Sequence, residues 1–197
     1  MGADESKYPI LHTARLCLRP WRAEDVDAFA AMSVDPHVME FFPKLLDRAE
    51  CDAAFERVTA HFAKHGFGFW AAELPGVAPF IGFIGLAVPR FEAHFTPCVE
   101  VGWRLAAEHW GRGYATEGAR AALAFGFQRL KSSEILAYAV PANRRSLRVM
   151  EKLGMTHAAG DEFDHPQIAE GHPLQRHVIY RISVSKWAAS IGPPEPA

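Results

Sequence analysis

The sequence predicts a single mixed α/β domain, a central twisted sheet of six or seven strands with about four helices. Short period-two segments, the pattern of half-buried strands, alternate along the chain with segments of helical period. Their order is neither a strict strand–helix–strand repeat nor a split into strand and helix halves, which points to a mixed sheet. With 197 residues, 49% of them apolar and including 14 Phe and 5 Trp, the chain can bury one sizeable core.

Residues 1–13 read as a flexible N-terminal arm, 14–185 as the domain, and 186–197 as a C-terminal tail, with Gly192-Pro193-Pro194 disordered. Ala14–Trp21 alternates Leu16 and Leu18 inward against Arg15 and Arg19 outward, a first strand. Ala23–Ser33 suits a short helix with Glu24 and Asp25 in its first turn. Pro36–Pro43 breaks it and presents Glu40, Phe41 and Phe42. Asp47-Arg48-Ala49-Glu50 has the form of a capping box and opens a helix reaching about Lys64. Phe67–Glu73 and Pro79–Val88 read as strands around a Pro75-Gly76 turn. The next strand, from Val99 to Leu105, turns Val99, Val101, Trp103 and Leu105 to one face and Glu100, Gly102 and Arg104 to the other. A helix follows from Tyr114 to about Lys131. Its small residues Ala115, Ala119, Ala122 and Gly126 allow close packing on a sheet, and Leu123, Phe127 and Leu130 read as core. Glu134–Val140 is a strand, and Asn143–Leu153 a helix stopped by Gly154. Met155–Phe163 and Gln175–Val184 close the domain as a pair around an acidic, His-containing loop.

Composition excludes several classes. The net charge is −2 and no basic block stands out, unlike a dedicated nucleic-acid binder. Cys17, Cys51 and Cys98 form no Cys-x-x-Cys pair, as expected of reduced cytosolic thiols. There is no signal peptide, and no apolar run approaches the roughly 18 residues of a membrane helix, so a cytoplasmic location is expected. Ten His residues occur without a His-Glu-x-x-His or similar ligand spacing, so no metal is expected. Cys98 could serve a Cys–His–Asp nucleophile arrangement, against the commoner reading of a small buried apolar residue.

The most informative stretch is Val99–Thr116, where the strand leads to Gly111-Arg112-Gly113 directly before a helix. Such a turn leaves backbone N–H groups pointing outward at the positive end of the helix dipole, and glycine lets an anion approach the backbone closely. Arg112 adds a positive charge, so the stretch reads as a pyrophosphate cradle. The P-loop pattern Gly-x-x-x-x-Gly-Lys-Ser/Thr is absent. The dinucleotide pattern starts at Gly111 and Gly113, but Thr116 stands at its sixth position and the turn comes five residues after the strand.

A second stretch, Asn143-Arg144-Arg145-Ser146-Leu147 through Glu151-Lys152-Leu153-Gly154-Met155, lies about thirty residues on. Together the two resemble the GNAT superfamily of acyl-CoA-dependent N-acetyltransferases, with its Arg/Gln-x-x-Gly-x-Gly/Ala motif and its Asn-x-x-Ser/Ala…Glu-Lys-Leu-Gly-Phe helix. The wording Trp-Gly-Arg-Gly-Tyr-Ala-Thr-Glu followed by Asn-x-x-Ser is most similar to the RimJ/RimL-like branch, which includes ribosomal-protein N-terminal acetyltransferases. The resemblance covers about Ala14 to Ser185. It implies acetyl-CoA as co-substrate and direct attack by an amine in a ternary complex. In that picture the backbone of Gly102, Trp103, Arg104 and Leu105 holds the pantetheine and polarises the thioester. Gly111, Arg112, Gly113, Tyr114, Ala115 and Thr116 hold the pyrophosphate. One departure is Glu108, which stands where the superfamily has Arg or Gln.

Acetyl transfer to an amine needs a neutral amine, a stabilised oxyanion and a proton for the leaving thiolate. Glu100 is the candidate base, acting directly or through water, and the alternative is an exposed strand glutamate in a surface ion pair. Many superfamily members carry a Tyr donor where this chain has Met150, whose thioether has no proton to give. Ser146 is the remaining candidate donor, or else a helix-surface serine. Asn143 could hold the pantetheine amide, cap its helix, or both. Arg144, Arg148 and Lys152 could reach the cofactor's 3′-phosphate. The acceptor is a small-molecule amine or a protein N-terminus, on a monomer or homodimer. Asp161, Glu162, Asp164 and Glu170 with Glu40, Phe41 and Phe42 would suit a cationic amine, or form an ordinary acidic surface. Two rival classes remain at this point: a non-catalytic acyl-CoA-binding protein and a nucleotide-binding oxidoreductase.

Overall fold

The computed structural model describes residues 7–190. The start of the arm (1–6) and the end of the tail (191–197), Gly192-Pro193-Pro194 included, lie outside the described residues. The chain forms two compact units that interleave in sequence. One takes the residues up to Ala87 and then Val101–Ala122, the other Val88–Glu100 and the residues from Leu123 onward.

In the first unit, strands β1 (Leu11–His12), β2 (Cys17–Arg19), β3 (Phe69–Glu73) and β4 (Gly82–Ala87) pair antiparallel in sequence order. Helices α1 (Asp25–Ser33) and α2 (Arg48–His65) pack beside them. The predicted capping box opens α2: the Asp47 side chain accepts from the Glu50 N–H at 2.8 Å, and Glu50 accepts from the Asp47 N–H at 3.1 Å. Gly66, in the left-handed conformation at φ 76°, ends the helix, as a C-cap glycine does. The core gathers Trp21, Val26, Phe29, Met32, Val38, Met39 and Phe80. Trp21 meets Phe29 and Phe80 edge-on, both at 5.1 Å. Each such fully buried side chain contributes about 1.5–3 kcal/mol. Arg19, read from the alternation as outward, is 1% exposed. It donates to both oxygens of buried Asp25 at 2.8 and 2.9 Å and to Glu73 at 2.7 Å. Paired in this way, the guanidinium can stand in the core.

The second unit holds β6 (Glu134–Ala139), α4 (Arg144–Lys152), β7 (Glu162–Asp164), β8 (Arg176–Ser183) and α5 (Val184–Ser190). β8 pairs antiparallel with both β6 and β7. Strand β5 (Glu100–Leu105) starts in this unit, where Glu100 pairs parallel with Leu136. Helix α3 (Tyr114–Gln128) likewise begins in the first unit and ends in the second. Strand neighbours run β1-β2-β3-β4-β5-β6-β8-β7, a mixed α/β sheet of eight strands, with five helices, among the described residues.

The added strand is the shortest one: β1 has two residues, too few for a period-two signal, and falls within the stretch read as the arm. The strand expected over Met155–Phe163 is reduced to β7, with Thr156 joined to Arg181 only by an isolated bridge. α5 runs from the predicted last strand into the stretch read as tail, held by Trp187 stacked on Phe127 at 5.8 Å.

Candidate active site

The Gly111–Gly113 turn lies in the first unit, and all three of its residues are exposed. Gly111 and Gly113 have φ of 73° and 85°, the left-handed region that glycine enters without strain. A Cβ on Gly111 would meet nothing within 4 Å. The turn opens α3, whose first N–H groups have no partner within the helix, so an anion can sit against the backbone. Tyr114 is 8% exposed and belongs to the core, while Ala115 and Thr116 are half-buried. Arg15, which the alternation treated as merely outward, fastens this turn. It donates to the Arg112 carbonyl at 3.0 Å and pairs with Glu117 at 2.6 Å, with its guanidinium 4.6 Å from the centre of the Tyr114 ring. Burial pushes the Glu117 carboxyl up, but hydrogen bonds from Thr13 and Arg15 outweigh that and hold it low. Glu108 is exposed, with its carboxylate 3.2 Å from His109.

On β5, Val101 and Leu105 are buried, whereas Val99 and Trp103 are only half-buried. Glu100, Gly102 and Arg104 are half-buried too, so the strand is covered on both sides rather than having one wet face. Glu100 is therefore not an exposed ion-pair residue. Its carboxyl hydrogen-bonds the Tyr138 hydroxyl within the second unit. Loss of water lifts its pKa to about 7, against the smaller downward pull of that hydrogen bond. Burial, reinforced by Glu100, raises the Tyr138 phenol. Around Tyr138 stand Phe163 at 5.4 Å, Phe91 at 5.9 Å and Phe95 at 6.2 Å between ring centres. His165 and His177 complete the group, and burial lowers both, His165 to about 4, so they are neutral at pH 7. Sequence reading missed Tyr138, because its relation to Glu100 depends on the parallel pairing of β5 with β6. Cys98 has its pKa pushed up to about 11 by burial and by Glu100, which corrects the nucleophile alternative: the thiol stays protonated.

Asn143 caps α4, its side chain accepting from the Ser146 N–H at 3.1 Å. The Ser146 side chain is half-exposed, and Met150 is buried core at 2% exposure. Arg144, Arg148 and Lys152 lie on the exposed side of α4. Three of the four loop carboxylates are paired within the chain. Asp161 is held by Arg181 at 2.5 Å, and Arg176 takes Glu162 at 3.1 Å and Asp164 at 3.3 Å. Phe42 faces a cation from its own chain: the Arg104 guanidinium lies 3.8 Å from its ring centre. Among the described residues no group of three or more His, Cys, Asp or Glu is placed to hold a metal ion, and no helix is long and apolar enough to cross a membrane.

Residues 15–156 match the acetyltransferase (GNAT) domain, and the chain belongs to that family. It is 32% identical to the Bacillus subtilis protein YkkB over 146 residues, 74% of this chain and 84% of that one. It is 31% identical to the Aspergillus fumigatus FsC-acetyl coenzyme A-N(2)-transacetylase over 194 residues, 91% of this chain and 78% of the relative. The crystal structure of an acetyltransferase from Agrobacterium tumefaciens superposes with a TM-score of 0.70 at 29% identity, covering 88% of this chain and 94% of that one. Family membership makes the chain an acetyl-CoA-dependent acetyltransferase.

Proposed function

We propose that the protein transfers the acetyl group of acetyl-CoA to a primary amine by direct attack, with Glu100 as the general base. The observation that carries this is the Glu100 carboxyl, which accepts from the Tyr138 hydroxyl and is lifted by loss of water to about 7. A base poised near neutrality can both accept and release a proton at working pH. The open glycine turn at the head of α3 fits a pyrophosphate, so Gly111, Arg112, Gly113, Tyr114, Ala115 and Thr116 are the proposed holders of the cofactor's phosphates. The backbone of Gly102, Trp103, Arg104 and Leu105 is the proposed pantetheine support. Bound there, acetyl-CoA supplies an activated thioester acyl group. Glu100, directly or through water, removes the proton that the amine must lose. Ser146 is the proposed proton donor toward the leaving sulfur, and Asn143 sets the helix end from which it projects. The motif wording supports the RimJ/RimL-like branch as the proposed subgroup.

The test is calorimetric titration with acetyl-CoA beside thiol-release assays on a panel of amines. One-site binding that Gly113→Trp abolishes is expected, because an indole at an exposed φ of 85° both strains and fills the turn. Glu100→Gln should keep cofactor affinity and lower kcat by about 10² or more. Binding without turnover of any amine would favour the non-catalytic acyl-CoA-binding protein instead.

A further inference from the structure

Arg104 carries a guanidinium into the interior of the first unit. Its Nε and Nη1 are buried and have no hydrogen-bond partner among the described residues. Its guanidinium lies 3.8 Å from the centre of the Phe42 ring, 5.4 Å from Phe83 and 5.9 Å from Phe29. Burial lowers its pKa to about 10, and the influence opposing that is the Cys51 thiol, not a carboxylate. The contrast with Arg19 is informative. That guanidinium, buried in the same unit, has every side taken by Asp25, Glu73 and two carbonyls. Cation–π contacts offset part of the lost hydration of Arg104 but satisfy none of its N–H donors. Buried donors left in this state cost free energy that an incoming acceptor recovers.

We propose that the Arg104 side chain is the recognition site for a carboxylate on the acceptor, so that the protein acetylates amines that also carry a carboxyl group. This rests on the acetyl-transfer reading above. Carboxylate is the partner whose two oxygens match the Nε and Nη edge of a guanidinium with two parallel hydrogen bonds. The phosphates of acetyl-CoA have their own proposed cradle in the exposed turn at Gly111–Gly113, leaving Arg104 for the second substrate. The expectation that Phe42 would bind a cationic acceptor is thereby reversed: the ring is occupied by a cation of the chain, and the ligand supplies the anion.

The experiment uses the full chain saturated with acetyl-CoA, and the probes are the L-amino acids and their carboxamides. Binding is read by calorimetry and transfer by thiol release, for wild type, Arg104→Met and Arg104→Lys. At least one free acid should exceed its carboxamide by about tenfold or more in kcat/KM, because a site built around a buried donor rejects the analogue that cannot pair with it. With acetyl-CoA saturating for each variant, Arg104→Met should erase that preference, and Arg104→Lys should keep only part of it. Equal use of acids and amides overturns the proposal. So does a Kd for acetyl-CoA that rises in Arg104→Met in place of a lost acid preference, because the anion would then belong to the cofactor. Should wild type bind acetyl-CoA yet acetylate nothing, the transfer reading fails. The calorimetric comparison of acids with amides still decides for or against Arg104.

Discussion

At Glu100 two opposing influences set one proton. Removal from water raises the carboxyl to about 7, and the Tyr138 hydroxyl, by hydrogen-bonding the ionised form, restrains that rise. If Glu100 is the base, kcat/KM climbs with pH through an inflection near 7, since only the carboxylate accepts a proton. Replacing Tyr138 with Phe removes the restraint and leaves the burial, so the inflection moves upward. A hydrogen bond to a charged group is worth roughly 1.5 kcal/mol, which corresponds to about one pH unit. The pH–rate profile of Tyr138→Phe checks this, and an inflection that stays put or falls would separate Tyr138 from the base. Rate loss alone would not distinguish a positioning role from damaged packing, because Tyr138 also packs against Phe163.

The turn before α3 is made by two elements distant in sequence. Its glycines make the bend locally, but Arg15 holds its Arg112 carbonyl and the Glu117 side chain from 97 and 102 residues away. Arg15 is 46% exposed at its side chain, so its ion pair adds little to global stability. Its effect falls on the shape of the turn. Arg15→Ala should therefore weaken acetyl-CoA binding about five- to tenfold while moving Tm by only a degree or two, since preorganisation acts on affinity. Calorimetry and a thermal melt on the same sample check both halves. An unchanged Kd would mean that the glycines alone set the turn. The same pairing marks the limit of sequence reading at this scale. The Asp47–Glu50 box, the Gly154 stop and the glycine turn were legible because each is a local backbone requirement written in adjacent residues. Arg15 looked like any outward strand residue, because its partner is brought near only by the fold.

Across the whole molecule, periodicity located most of the strands and four of the five helices, and so the mixed sheet, but not α5, which runs into the stretch read as tail. What it could not assign was the environment of polar residues at period-two positions. Arg19, Glu100 and Arg104 all alternate as solvent-facing residues, and all three leave water for different partners: two carboxylates, a phenol, and a set of rings. Burying such groups at a site trades stability for function, and Glu100 makes the trade measurable. In the unfolded chain its carboxyl titrates near 4.5, and in the fold near 7. Below about pH 4.5 both states are protonated and the group costs nothing. Between these values the native state holds a proton that the unfolded state has lost, so stability falls as pH rises. Above about 7 both are ionised and the full cost remains. Glu100→Gln has no such titration. The stability difference, variant minus wild type, should therefore be flat below about pH 4.5, rise in the variant's favour up to about 7, and level off beyond. Urea unfolding of both proteins from pH 4 to 8 measures this. A difference independent of pH would show Glu100 ionising as it does in the unfolded chain, and the base assigned to it would have to be sought elsewhere.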